Sequence, residues 1–231
     1  MHLLIPAAGS GKRMGSSQNK LLLELLNKPL LSWTLKAAAA AQTIEWIGII
    51  GQPYDFDAFT HLLNSLALAK PIALIVGGET RQVSVFNGLQ ALPPGAKSVL
   101  IHDGARCLAT ADLFDRCTEA LNTCQGLIAA IPVKDTIKVV DDHGWIEATP
   151  DRRQLWAAQT PQGFEVALLK TCHQWGKEQD WEVTDDAALL EKCGHPVKIV
   201  PGEETNLKIT TPVDLAIAEF ILRQRFDSSL N

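Results

Sequence analysis

The opening residues constrain this chain most. Leu3, Leu4 and Ile5 form a short apolar run that passes straight into Pro6-Ala7-Ala8-Gly9-Ser10-Gly11-Lys12-Arg13-Met14-Gly15. An apolar run without polar alternation predicts a strand buried on both faces, and its ending in a glycine loop suits the first unit of an open α/β sheet. The alternation continues, with strands predicted at 47–50, 72–76, 99–101 and 127–133 and helices at 30–41, 57–68, 83–92 and 113–121. Pro29 stands where the first of these helices begins, a place that tolerates proline. This repetition predicts an α/β fold: a mostly parallel open sheet with helices on both faces, Rossmann-like in layout.

Past residue 133 the pattern breaks. Residues 136–140 and 145–149, joined by the turn Asp141-Asp142-His143-Gly144, predict a β-hairpin arm at about 135–158. Helices at 165–175 and 184–193, a strand at 197–200 and a last helix at 212–223 follow, so residues 1–231 read as a single domain with an arm. A two-stranded ribbon is marginal alone in water. The arm is therefore expected to pack on something, most simply the same arm of a second copy. No apolar run approaches the ~18–20 residues needed to cross a bilayer, and the first residues lack a signal-peptide pattern, so a cytoplasmic protein without a membrane partner is expected. Lys and Arg number 21 against 26 Asp and Glu, for a formal net charge of −5, which argues against nucleic acid as the main partner. Five cysteines, an odd count without a CxxC pair, read as buried thiols rather than a disulfide framework or a thiolate zinc site.

Spacing excludes two familiar phosphate loops. A Walker-type loop needs Gly where Pro6 stands and Ser or Thr where Arg13 stands, and Gly9, Gly11 and Gly15 give G-x-G-x-x-x-G rather than the dinucleotide G-x-G-x-x-G. What remains is a turn of small residues whose N–H groups can approach a ligand, followed by Lys12, Arg13 and Lys20, a set that suits a triphosphate. The same cations could be solvated charges on a tight turn; their place after the first strand, where ligands of open sheets gather, favours binding. Two more polar clusters stand at predicted strand ends. Gly77-Gly78-Glu79-Thr80-Arg81 can read the edge of a base. His102-Asp103-Gly104-Ala105-Arg106 offers a carboxylate for Mg²⁺ and a guanidinium for phosphate, or else a loop ion pair. His61, His143, His173 and His195 have no catalytic spacing and read as surface or packing residues.

These motifs, with Gly-Gly-x-x-Arg-x-x-Ser-Val, Pro132-Val133-x-Asp135-Thr136-x-Lys138, Thr160-Pro161-Gln162, Thr184-Asp185 and Asn206-x-Lys208-Ile209-Thr210, run in order along nearly the whole chain. Together they resemble the 2-C-methyl-D-erythritol 4-phosphate cytidylyltransferase family. The resemblance implies a Mg²⁺-dependent enzyme of the non-mevalonate isoprenoid pathway that joins CTP and 2-C-methyl-D-erythritol 4-phosphate, releases pyrophosphate and works as a homodimer through its arm. Position by position it implies Ala7, Ala8, Gly9, Gly78, Glu79, Ser84 and Lys208 for the nucleotide and Arg13 and Lys20 as catalytic cations. Asp103, Arg106, Thr160 and Thr184 are implied for the acceptor, joined by Thr136 and Arg152 from a partner's arm, with Asp103 also on the metal. On their own residues, Arg152 and Arg153 could be edge charges that discourage aggregation, Thr160 a turn residue and Thr184 a helix N-cap.

Four positions depart from that family's pattern: Asn19 where proline is common, Glu79 where aspartate is frequent, Gly104 where alanine is common, and Cys107 where proline is usual. Gly104 and Cys107 are expected to loosen the Asp103 loop. A phosphate monoester oxygen is already nucleophilic, so the expected chemistry is electrostatic and needs no general base. Competing readings are a cytidylyltransferase for another polyol phosphate such as ribitol 5-phosphate, a sugar-1-phosphate nucleotidylyltransferase, and a non-catalytic nucleotide-binding regulator on the same scaffold.

Overall fold

A computed structural model describes residues 1–8 and 19–228. In chain order these form β1 (His2–Pro6), β2 (Glu24–Leu25), β3 (Lys28–Pro29), α1 (Leu30–Ala40), β4 (Trp46–Gly51), α2 (Phe56–Leu66), β5 (Ile72–Val76), α3 (Arg81–Gln90) and β6 (Ser98–Ile101). They continue with α4 (Ala111–Ala120), β7 (Gly126–Pro132), β8 (Val139–Val140), β9 (Ile146–Ala148), β10 (Trp156–Glu165), α5 (Val166–Glu178), α6 (Asp186–Lys192), β11 (Lys198–Pro201) and α7 (Pro212–Ser228). Among the described residues the main sheet has seven strands in the order β11-β7-β10-β6-β1-β4-β5, all parallel except β10.

Side-chain alternation along β1 sets the layers. Leu3 and Ile5 point into one core with Leu31 and Leu35 of α1, Phe59 of α2 and Phe114 of α4. Leu4 points into the other, with Val85 and Leu89 of α3, Leu169 of α5 and Leu190 of α6. Helices thus cover both faces, as the alternation of strands and helices predicts. A satellite cluster of Leu25, Leu30, Leu108, Ile209 and Leu222 seats α7. Among the described residues no helix is long and apolar enough to cross a membrane. All five cysteines are free, with Cys107, Cys117 and Cys172 buried, and burial pushes those three thiols up to about 12.

The structure departs from expectation most at β10, a central strand in a stretch that reads as turn and helix start. Pro161 argues against a central strand because it cannot donate to a ladder. The chain resolves this with an irregularity: β10 pairs with β7 from Trp156 to Ala158, shifts register, and resumes at Gln162, leaving Gln159, Thr160 and Pro161 outside the regular ladder. The Thr160–Pro161 bond is cis. Gly163 follows because a Cβ there would lie 2.9 Å from Leu100 and 3.1 Å from Leu127.

The paired strands of the arm are shorter than expected. Trp156 still pairs with Pro132 in the main sheet, so residues 133–155 project from it, and only β8 and β9 pair within the projection. Two helices start earlier than the periodicity predicts because threonines cap them: Thr80 accepts from the Val83 N–H and Thr110 from the Leu113 N–H. The α6 cap is Asp185, which accepts from the Ala188 N–H, and not Thr184.

Phe164 of β10 is fully buried among the α5 and α6 side chains. Phe164→Ala is expected to cost about 3–5 kcal/mol of unfolding free energy, read from the urea midpoint at unchanged slope.

Candidate active site

The carboxyl ends of β1, β4, β5 and β6 converge with the Lys20 segment, the irregular part of β10 and the loops carrying Thr184 and Lys208, beside the boundary between β1 and β6 from which successive strands run in opposite directions, the usual ligand position in open α/β sheets. A cleft of about 340 Å³ there is lined by Ala7, Ala8, Lys20, Gln52, Gly78, Glu79, Ser84, Asp103 and Lys208, among others. A second lobe of about 170 Å³ is lined by Arg106, Thr160, Gln162, Thr184 and Asp185. Arg81, Asp103 and Lys208 line both lobes and mark where they meet.

The larger lobe is shaped by backbone and small side chains. Ala7 donates to the Ile50 carbonyl (2.7 Å) and Gly77 to the Gly51 carbonyl (2.8 Å), fastening the turns after β1 and β5 to β4. The buried Ser84 hydroxyl accepts from the Gly78 N–H (3.0 Å) and donates to the Thr80 carbonyl (2.8 Å), so Ser84 acts by shaping this turn. Gly78 is required for space: a Cβ would run into Val83. Gln52 donates to the Gly78 carbonyl at 3.3 Å.

At the junction the Asp103 carboxylate is 14 % exposed and lies 2.8 Å from Lys208 Nζ and 3.7 Å from Arg106 Nε. Burial penalises this charge, but Lys208 above all, with Arg81 and Arg106, holds its pKa below the usual carboxylate range. Arg81 is anchored at 2.8 Å on the buried Asp186. Burial opposes the Arg81 charge, and Asp186, Asp103 and Asp185 outweigh it, leaving its pKa raised. Gln162 completes this wall: it donates to Asp185 (2.9 Å) while its amide oxygen accepts from the Asp186 and Ala187 N–H groups.

Behind Asp103 lies a chain of hydrogen bonds whose directions are forced. The Arg106 carbonyl can only accept, so His102 Nε2, 3.2 Å away, carries the hydrogen. In the neutral ring Nδ1 then accepts from the Thr160 hydroxyl at 3.0 Å, and Thr160 Oγ1 accepts from the Asp103 N–H at 3.0 Å. His102 is fully buried against the edge of Phe114. Desolvation is the main cause that pushes its pKa down to about 4.

The residues singled out from sequence therefore fall into three groups. Ala7, Ala8, Lys20, Gly78, Glu79, Ser84, Asp103, Arg106, Thr160, Thr184 and Lys208 are brought together around the two lobes. Thr136 and Arg152 line neither lobe; both are exposed on the projection, where Arg152 donates to the Lys134 carbonyl. Gly9 and Arg13 lie outside the described residues, as do Lys12 and Met14. Arg106 is already engaged, donating to the carbonyls of Asn206 (2.6 Å) and Ala158 (3.2 Å).

Gly104 and Cys107 are both closely packed. The missing Cβ of Gly104 admits Leu21, whose Cδ1 would lie 2.7 Å from it, and the Gly104 carbonyl accepts from Thr34. Cys107 is buried in the cluster under α7. Gln52, the Arg81–Asp186 pair and Gln162 were missed as site-forming residues. Only Arg81 and Gln162 stand in motifs that could have drawn attention to them, because contacts between residues distant in sequence leave no local spacing.

The His102 geometry sets a pH dependence. Between pH 6.5 and about 4 the unfolded chain binds a proton here that the folded chain refuses, so stability falls as pH falls through that window. The contribution lost is roughly 3 kcal/mol. His102→Gln is expected to flatten the wild-type slope of unfolding free energy in that window, read by urea titration at successive pH values.

Comparison with known proteins agrees with this geometry along the chain. A family model described as IspD, 2-C-methyl-D-erythritol 4-phosphate cytidylyltransferase, matches residues 1–224. The Synechocystis sp. protein of that name is 78 % identical over 225 residues, covering 97 % of this chain and 98 % of that protein. A crystal structure of 4-diphosphocytidyl-2C-methyl-D-erythritol synthase from Anaerococcus prevotii superposes with a TM-score of 0.86 at 33 % identity, covering 96 % of this chain and 97 % of that one. The Thermus thermophilus cytidylyltransferase structure gives a TM-score of 0.77 at 32 % identity, covering 96 % of this chain and 98 % of that one. With strand ends, glycine turns and cations arranged as described, and with the match running from residue 1 to 224, the chain belongs to the 2-C-methyl-D-erythritol 4-phosphate cytidylyltransferase family.

Proposed function

We propose that the two lobes receive the two substrates of the family's reaction, with bond formation where they meet. The chain transfers a cytidylyl group from CTP to 2-C-methyl-D-erythritol 4-phosphate, giving 4-diphosphocytidyl-2-C-methyl-D-erythritol and pyrophosphate. The observation that carries the assignment of lobes is that Arg81, Asp103 and Lys208 line both. Two anions must meet there, where Lys208 and Arg81 stand in the lining of either lobe beside Asp103.

In the larger lobe Ala7, Ala8, Gly78, Glu79 and Ser84 hold the nucleoside, chiefly through backbone groups, and the family resemblance adds Gly9 to them. Lys208 and Lys20 face the triphosphate, and the family resemblance adds Arg13 as a third cation. Lys20 Nζ donates to the Ile209 carbonyl at 3.4 Å, which sets it beside Lys208. The acceptor's phosphate enters the smaller lobe at Arg106, Thr160 and Thr184. Its oxygen attacks the α-phosphorus, and charge grows on the equatorial and leaving oxygens, where fixed cations act most strongly. Cations rather than a proton acceptor carry the step.

The donors present also suit Mg²⁺, a hard cation that takes one or two carboxylates and completes its shell with substrate phosphates and water. Asp103 is the carboxylate placed for this. Among the described residues no group of three or more His, Cys, Asp or Glu forms a dedicated cage, which fits a metal carried in large part by the nucleotide. When bound, it neutralises charge on the triphosphate.

The exposed Ile137, Val139, Val140, Trp145 and Ile146 give the projection an apolar surface that favours pairing with a second copy. In that homodimer Thr136 and Arg152 would reach the other copy's acceptor lobe, as the family resemblance implies. A cytoplasmic setting accords with the absence, among the described residues, of a membrane-crossing helix.

Pyrophosphate release from CTP, measured with methylerythritol phosphate and with ribitol 5-phosphate, is expected only with the first. Lys20→Ala and Lys208→Ala are each expected to lower turnover by ~10²–10³. Near-parental release in both would sink the assignment of these cations, and no release by the unmodified chain would favour a binding protein. Mixing Arg152→Ala with Lys208→Ala is expected to restore activity, since one site of each mixed dimer is then intact; no recovery despite exchange of copies, followed by native mass, argues against a shared site.

A further inference from the structure

We propose that Asn19 is a positioning residue whose side-chain amide clasps the two ends of the glycine-rich segment and holds Lys20 at the cleft. The proposal rests on the reading of Lys20 as a triphosphate cation. Residues 9–18 join Ala8 to Asn19, and Asn19 lies only 7 % exposed at the far end of that segment.

Every polar atom of the Asn19 side chain is used. Nδ2 donates one hydrogen to the Ala7 carbonyl (2.6 Å), on the near end of the segment, and the other to the Asp55 carboxylate (2.8 Å). Oδ1 accepts from the Leu21 N–H (3.0 Å), fixing the short 3₁₀ turn that begins at Lys20. Only an amide supplies two donors and an acceptor from one carbon. Asp55 is itself buried, and its N–H donates to the Gln52 carbonyl, on the turn whose side chain reaches Gly78. The clasp therefore ties the ends of β1 and β4 to the segment carrying Lys20, with the β5 turn one contact further on.

The departure from the family's common proline fits this account. Asn19 has φ −58°, within the range that a proline ring enforces. The backbone preceding the lysine is thus of the kind proline favours, and three side-chain hydrogen bonds take over the restraint that the ring would give.

The test compares wild type, Lys20→Ala, Asn19→Ala, Asn19→Asp and Asn19→Asp with Asp55→Asn, following steady-state pyrophosphate release and thermal midpoint for each. Asn19→Ala is expected to lower kcat/KM for CTP on the order of tenfold, with KM for the acceptor phosphate unmoved, because a misplaced cation is felt mainly at the triphosphate. Asn19→Asp places a carboxylate against Asp55 and the Ala7 carbonyl and is expected to lose more. Adding Asp55→Asn lets residue 55 donate to residue 19 and recovers part of that loss. Parental kcat/KM for CTP in Asn19→Ala overturns the clasp, as does a loss shared equally by both substrates that follows the folded fraction. Parental turnover in Lys20→Ala instead overturns the reading of the site on which the clasp rests.

Discussion

A carboxylate at the end of a buried strand keeps its charge only where cations and hydrogen bonds surround it, and the site is organised around that requirement at Asp103. Lys208 reaches it from the loop after β11, Arg106 from its own turn, and Arg81 from the start of α3. Each of the two arginines has its own anchor. Arg81 is held by Asp186, and Arg106 by the carbonyls of Asn206 and Ala158. Removing one group at the junction would leave a partly buried charge uncompensated, which costs far more than a surface pair is worth. The cations that stabilise Asp103 also line the lobes, so stability and phosphate binding draw on one arrangement.

How legible this was depended on where each contact lies in the sequence. The parallel strands, the covering helices and the three polar turns follow from local pattern: apolar runs ending at glycines, periodicity of 3.6 behind them, and the short hairpin turn of the arm. β10 did not, because its signal is spoiled by Pro161 at the place where the strand departs from its ladder. That departure is what turns the Thr160 hydroxyl to the Asp103 N–H and the Thr160 carbonyl to Asn206. The least strand-like residues of β10 are thus those that build the site. The missed caps, Thr80 and Thr110, were local and available; the Arg81–Asp186 pair joins residues far apart in the chain and left no such trace.

Two of the departures from the family pattern make the same point. Gly104 and Cys107 suggest looseness when each is weighed alone, since one removes a side chain and the other removes a ring. In the fold each is matched by a neighbour. Leu21 fills the space above Gly104, and Leu25, Leu30 and Leu108 pack with Cys107. Packing at interior density makes the value of a residue a property of its neighbours. Leu21 also shows how closely these positions are linked, because its N–H is bonded to the Asn19 side chain and it directly follows Lys20.

The environment of His102 bears directly on the chemistry. It is the histidine nearest the junction, and both ring nitrogens are engaged: one donates to the Arg106 carbonyl and the other accepts from Thr160. Buried and held neutral with a pKa of about 4, it has neither a free lone pair facing the cleft nor a proton to give at neutral pH. Its function is to fix Thr160, and through Thr160 the backbone of Asp103. His102 is therefore not the proton acceptor of a reaction run here. A phosphate monoester is already deprotonated near neutral pH and needs none, whereas an unmodified sugar hydroxyl would need a base.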